Sequence, residues 1–313
     1  MPCRAQLSSL ELVLATGPVS SMQTIFVGGY LKCGTSVLAS TLCSGNDVNP
    51  MIGEVVHLHG ITANYRPSFE LFDLHSRGYF DDRKQLKKFS GAEARRFLEM
   101  THARYGNPKF LVLKYPQLKS LFPYLHQLLP DAKFVISLRD PRDGVASAVV
   151  SQRKGAIEFS NASAGKIAES LTHAYMRCLL CAEPSFCERT IYSKYEYLVD
   201  YPAAAMRKLK RFTGIDFTGV DPELAPAKAG WVPDMALQRQ QPTFNELHGR
   251  TMSSDRVGRY AETLSAEEIA DVERIGGDIL DIYRHDHFVF RVDTRLLEEE
   301  TAHYDIAMTK IAE

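Results

Sequence analysis

The feature that most constrains this chain is a junction close to its beginning. Residues 24–28, TIFVG, are apolar, rich in β-branched side chains and closed by glycine, which predicts a short buried strand. The stretch Gly28-Gly29-Tyr30-Leu31-Lys32-Cys33-Gly34-Thr35-Ser36 follows, and SVLASTL (36–42) then reads as the first turns of a helix. A strand, a glycine-bearing loop and a helix form the front half of a βαβ unit.

The pattern repeats along the chain. FLVLK (110–114) and KFVISL (133–138) predict two more buried strands, and TIYSKYEYL (190–198) contains a fourth or its exit. Helical patterns separate or follow them at 91–104, at SLFPYLHQLL before Pro130, after Pro141, at 163–182, at 202–213 and at 265–283, the last begun by Ser265. Such alternation predicts an α/β fold, a single domain with a mostly parallel central sheet flanked by helices. The expected bounds are residues 22–290, with 1–21 as an N-terminal extension and 291–313 as a C-terminal helical tail. Residues 46–90 read as loop-rich, a substrate loop or lid. Their aromatics Tyr65, Phe69, Phe72, Tyr79 and Phe80 either line an acceptor cleft or pack into a core. Trp231 and the 222–250 segment are a second lid candidate.

Composition narrows the partners. With 45% hydrophobic and 24% charged residues the chain is neither disordered nor collagen-like. A formal net charge of −1 provides no global basic field, so no nucleic-acid partner is expected and any anion must be held locally. The six cysteines, Cys178 and Cys181 among them, read as reduced thiols of a cytoplasmic protein; the CxxC they form has no second pair at zinc-ribbon spacing. No apolar run approaches the ~20 residues of a transmembrane helix.

The loop itself points to phosphate. Glycines turn the backbone so that successive N–H groups point inward, and the following helix adds its positive end. Lys32 supplies a mobile charge, and the Thr35 and Ser36 hydroxyls supply further donors. A nucleoside-triphosphate loop reads GxxxxGK[ST], with lysine after the last glycine. Here the lysine precedes Gly34 by two residues, an arrangement that suits a 5′-phosphate better than a triphosphate tail.

LKCGTS resembles the first motif, KxGT[ST], of the sulfotransferases that use 3′-phosphoadenosine 5′-phosphosulfate (PAPS), and the glycan-modifying and bacterial types more than the cytosolic phenol types. FVISLRDPRDGVAS resembles the second motif, with Arg139 at a strand end and Ser147 eight positions later. Independently of any family, an arginine at a strand's carboxyl end stands on the ligand edge of an open α/β sheet. Its fork, with a hydroxyl two helical turns on, suits a dianionic 3′-phosphate. SSDRVGRYAETLSAEEIADVERIGGDI resembles the third nucleotide segment, and YSKYEYLVDY resembles a further strand-and-helix segment in which Tyr195 and Glu196 read as structural.

The resemblance implies a P-loop-like fold, PAPS as donor co-substrate, no required metal, and PAP as product. It implies that Lys32 contacts the 5′-phosphosulfate with Cys33, Gly34, Thr35 and Ser36 around it. Arg139, Ser147, Arg256, Gly258 and Arg259 would hold the 3′-phosphate. Lys114, at the end of its strand, would neutralise the sulfuryl oxygens. The base that deprotonates the acceptor is Glu54, in GEVVHLH, with His57 and His59 as alternatives; the histidine of the phenol-type enzymes is replaced by Pro116. Burial of such a carboxylate beside apolar groups would raise its proton affinity. The expected acceptor is a hydroxyl, on a carbohydrate or another bulky molecule. Two other readings compete: a P-loop kinase or nucleotide hydrolase, and a non-catalytic nucleotide-binding protein of the same fold.

Overall fold

A computed structural model describes residues 22–156, 161–181, 183–232, 240, 249–285 and 289–290. The expected extension at 1–21, the tail at 291–313 and most of the second lid candidate lie outside these residues.

Four strands run parallel: β1 (Gln23–Gly29), β2 (Phe110–Lys114), β3 (Lys133–Leu138) and β4 (Thr190–Lys194). A two-residue strand, β5 (Val289–Phe290), pairs antiparallel with β4 and completes the order β2-β1-β3-β4-β5. Strand residues alternate between two cores. Phe26, Leu111, Leu113, Phe134 and Ile136 face one side, while Ile25, Val27, Val112, Val135 and Ile191 face the other. With both faces covered, nearly every position of these strands must be apolar, which is why they read as continuous runs.

On the first side Phe26, Phe122, Phe134 and Phe186 form an aromatic cluster, the Phe122 and Phe134 ring centroids lying 4.8 Å apart. Beneath the second side pack α1 (Thr35–Cys43) and α10 (Pro202–Thr213). Between α1 and α10 in chain order come α2 (Val56–Glu70), α3 (Phe72–His75), α4 (Arg83–Arg104), α5 (Phe122–Leu128), α6 (Pro141–Arg153), α7 (Ala164–Leu179), α8 (Pro184–Glu188) and α9 (Tyr195–Asp200).

Sheet order fixes where a ligand can sit. From β1 the chain moves to β2 on one side and then to β3 on the other, so the connections leaving β1 and β3 diverge. The crevice between their carboxyl ends is the topological switch point of an open α/β sheet. Gly29 stands opposite Ser137 in this register, and Val27 opposite Lys114.

One expectation is corrected. Residues 46–90 are not loop-rich, because α2, α3 and the start of α4 occupy much of the segment. The helical signal was weak: α2 buries only Leu58, Ile61, Thr62 and Tyr65 and carries Pro67 and Gly60. Tyr65 and Phe72 belong to the core, Phe69 and Phe80 pack partly against it, and Tyr79 is exposed. Helix α4 begins earlier than its apolar periodicity implied because Asp82 caps it, its side chain accepting the Gln85 N–H at 2.7 Å. Tyr195 stands just after β4, at the strand's exit, and opens α9.

Phe134 is fully buried within the aromatic cluster. Phe134→Ala is expected to lower unfolding free energy by about 3–5 kcal/mol, read from the urea midpoint at constant m-value.

Candidate active site

The loop after β1 owes its shape to two left-handed residues. Gly34 has φ 85 and Lys32 has φ 68. For Gly34 the absence of a side chain is obligatory, since a Cβ there would come within 2.3 Å of the Tyr195 ring. For Lys32 the conformation costs of order 1–2 kcal/mol, and the surroundings hold it: its carbonyl accepts an Arg139 Nη1–H bond at 2.9 Å. Tyr175, fully buried on α7, ties the loop from behind. Its hydroxyl accepts the Tyr30 N–H at 3.0 Å and donates to the Ser137 carbonyl at 2.6 Å. Ser137 in turn donates through Oγ to the Cys33 carbonyl.

Helix α1 leaves this loop with no side-chain cap. Helices α4, α6 and α7 are capped by Asp82, Asp140 and Ser163, while α2, α5, α8, α9 and α10 share the lack of a side-chain cap but do not start in the switch-point loop. The first N–H groups of α1, with the helix's positive end behind them, are therefore available to an anion.

Arg139 leaves the end of β3 with only 5% of its surface exposed. Besides Lys32, its guanidinium donates through Nη2 to the Arg256 carbonyl, bringing the third segment onto the switch point. Its plane lies 4.7 Å from the centroid of the Tyr195 ring. Asp143 stands 3.9 Å from Nη2 and Glu196 stands 4.0 Å from Nε. Ser147, two turns into α6, is half-buried. Arg256 is also half-buried, whereas Arg259 is largely exposed and pairs with Glu262 at 3.3 Å.

A second group assembles at the end of β2. Lys114, 7% exposed, donates to Glu54 Oε1 at 2.9 Å and to Ser36 Oγ at 3.2 Å. The Glu54 segment lies beside β2, with the Val55 N–H bonded to the Lys114 carbonyl at 2.9 Å. Glu54, Lys114 and Ser36, three candidates from three parts of the chain, are thus in contact. The expected burial of Glu54 is corrected: its side chain is 42% exposed, held by an ion pair instead of an apolar pocket. The alternative bases make other contacts, although His57 also lines the cleft beyond Glu54. His57 lies against Phe97, and His59 stacks edge-on to Tyr115, where burial lowers its pKa.

Beyond Glu54 a cleft of about 510 Å³ opens between α2 and α4, lined by Val56, His57, Tyr65, Phe80 and Phe89 among others. Asp140, the carboxylate a kinase would turn to a metal, caps α6 and pairs with Arg142 at 2.7 Å. Among the described residues no group of three or more His, Cys, Asp or Glu could hold a metal ion.

A family model described as the sulfotransferase family matches residues 24–219, which carry both strand-end motifs, and the chain belongs to that family. It is similar to protein-tyrosine sulfotransferase 1 of Danio rerio, with 29% identity over 228 residues, 67% of this chain and 60% of that relative's length. Two solved structures share the fold. The sulfotransferase domain from the curacin biosynthetic pathway has a TM-score of 0.53 at 15% identity, covering 82% of this chain and 97% of that one. The sulfotransferase domain from the Synechococcus PCC 7002 olefin synthase has a TM-score of 0.51 at 17% identity, covering 85% and 95%.

Two contacts escaped sequence reasoning. Tyr175 gave no signal, because a buried aromatic on a distant helix looks like any core residue. Asp143 gave a faint one as an acid beside Arg139, but its partners lie more than a hundred residues away in the chain.

Glu196 yields a prediction. Burial raises its carboxyl to about 7, and backbone N–H bonds and Arg139 only partly oppose this. The folded protein keeps this proton above pH 4.5, where the unfolded chain releases it, so the residue's share of stability declines from about pH 4.5 to about 7. Glu196→Gln is expected to flatten that decline in urea unfolding measured across the window.

Proposed function

We propose that this chain transfers the sulfuryl group of PAPS to an acceptor hydroxyl. The observation that carries the reading is the switch-point crevice. There an uncapped helix, a glycine loop with Lys32, and Arg139 linked to the Arg256 segment converge on space between two strand ends. Donors at both ends of that crevice fit a nucleotide phosphorylated at 5′ and 3′.

In this reading Lys32, with Thr35, Ser36 and the backbone N–H groups from Cys33 to Ser36, steadies the 5′-phosphate as it becomes the leaving group. Arg139, Ser147, Arg256, Gly258 and Arg259 serve the 3′-phosphate. PAPS supplies the sulfuryl group, and the other product is PAP. The acceptor oxygen forms a bond to sulfur as the bridging bond to the phosphate breaks, and Glu54 takes the acceptor's proton. Lys114 neutralises the sulfuryl oxygens, where developing charge rewards a fixed cation. Its bond to Glu54 orients the base beside the same centre.

The cleft between α2 and α4 begins two residues after Glu54, a position that supports its use by the acceptor's body. Its size fits a bulky acceptor, a carbohydrate or another large hydroxyl compound. A tyrosine side chain is a second reading, favoured by the Tyr65, Phe80 and Phe89 lining and by the name of the Danio rerio relative. The domain is taken to span residues 22–290. The five free cysteines among the described residues suit a reducing, cytoplasmic setting. No helix of the described residues is long and apolar enough to cross a membrane. Commitment of Asp140 to capping and to Arg142 weighs against the kinase alternative.

Calorimetric titration with PAP, AMP and magnesium-ATP tests the donor. Tight, magnesium-independent binding of PAP with little binding of AMP is expected; preference for magnesium-ATP would favour the kinase reading. Glu54→Gln is expected to leave PAP affinity within about threefold while reducing transfer by about a hundredfold or more. Retained transfer would move the base to His57 or His59.

A further inference from the structure

Asp143 lies in the first turn of α6, with only 2% of its surface exposed. Both carboxylate oxygens accept backbone N–H groups from one distant segment. Oδ2 takes the Gly258 N–H at 2.7 Å and Oδ1 takes the Tyr260 N–H at 2.9 Å. The same segment is held through a carbonyl by Arg139, whose Nη2 donates to Arg256 and stands 3.9 Å from Asp143. Between these anchors Gly258 adopts φ 73. On the flank the Arg142 guanidinium lies 4.3 Å from the centroid of the Tyr260 ring. The 256–260 turn is therefore gripped by its N–H groups from one residue and by a carbonyl from another.

A buried carboxylate is unfavourable unless its lone pairs are filled, and bonds from N–H groups to a charged acceptor are among the stronger ones. Asp143 is also an anion beside the place proposed for another anion. Its charge opposes a bound phosphate, so any benefit it brings to recognition must come through geometry.

We infer that Asp143 is a positioning residue for recognition of the donor's 3′-phosphate: it fixes the 256–260 turn so that Arg256 and the turn's backbone face that phosphate. The inference rests on the PAPS reading above and adds a residue that touches neither the nucleotide nor the reacting atoms. Because Asp143 acts through the turn, its loss affects the 3′ end of the nucleotide and spares the 5′ end. A general loosening of the fold would weaken both ends alike.

The test is titration of wild-type protein and Asp143→Asn with PAP and with AMP, which lacks only the 3′-phosphate. Asparagine retains one acceptor and turns an amide N–H₂ toward the other backbone N–H. The ratio of PAP to AMP affinity is expected to fall about tenfold or more, with AMP affinity changed less than about threefold. A ratio that stays constant overturns the inference. So does a ratio that rises, which would mean the freed N–H groups bind phosphate better than the carboxylate arranges them. A wild-type protein that does not prefer PAP over AMP would instead overturn the PAPS reading beneath it. Should Asp143→Asn fail to fold, Asp143→Glu keeps the charge while its extra methylene displaces both acceptors from the Gly258 and Tyr260 N–H groups. That variant is expected to lower the ratio in the same sense, and an unchanged ratio overturns the inference equally.

Discussion

A buried arginine at the end of a strand demands partners, and the site is organised around that demand. Arg139 carries five donors and a full charge into a place where water scarcely reaches. It obtains the carbonyls of Lys32 and Arg256, the face of Tyr195 and two nearby carboxylates. Each contact fixes something else. Lys32 presents its carbonyl to Arg139 from a left-handed conformation, which shapes the loop; the Arg256 carbonyl draws in a segment from far along the chain. Removing the guanidinium would leave the loop, the turn and two acidic groups without their common partner.

Around this centre, capping capacity is distributed unevenly. Helices α4, α6 and α7 each have a first-turn N–H accepted by a side chain, while α1, like α2, α5, α8, α9 and α10, has no such cap. An unmet set of donors is unfavourable in an interior and useful beside a ligand, and α1 starts at the switch point. Gly34 allows this arrangement because Tyr195 occupies the space a side chain would need. The Tyr195 ring thus packs against both the phosphate loop and Arg139, a structural part that supports the reading of that residue as packing and not chemistry.

How much was legible varied with the range of the interaction. The strands at 110–114 and 133–138 could be bounded to the residue, because a strand buried on both faces is an uninterrupted apolar run. The loop motif and the Arg139 motif were visible for a related reason: each is a local strand-to-helix junction. Helix α2 was obscured by Gly60, Pro67 and a narrow buried stripe. The place of Glu54 in the chain is legible in the sequence, but its pairing with Lys114 and its exposure are not. Whether a loop carboxylate is buried or faces a lysine depends on what lies beside it, and Lys114 is sixty residues away.

The sequence by itself determined the α/β class, the parallel strands, the glycine loop and the presence of an arginine and a lysine at strand ends. These follow from hydrophobic period, chain punctuation and short-range steric limits, all of which act within a few residues. Only the tertiary structure decided that Glu54, Lys114 and Ser36 meet, that Arg139 joins the loop to the 256–260 turn, and that Asp143 holds that turn in place. Those contacts come from the order of strands in the sheet and from buried polar groups that must find partners. No local pattern encodes which distant carbonyl or N–H group will satisfy them.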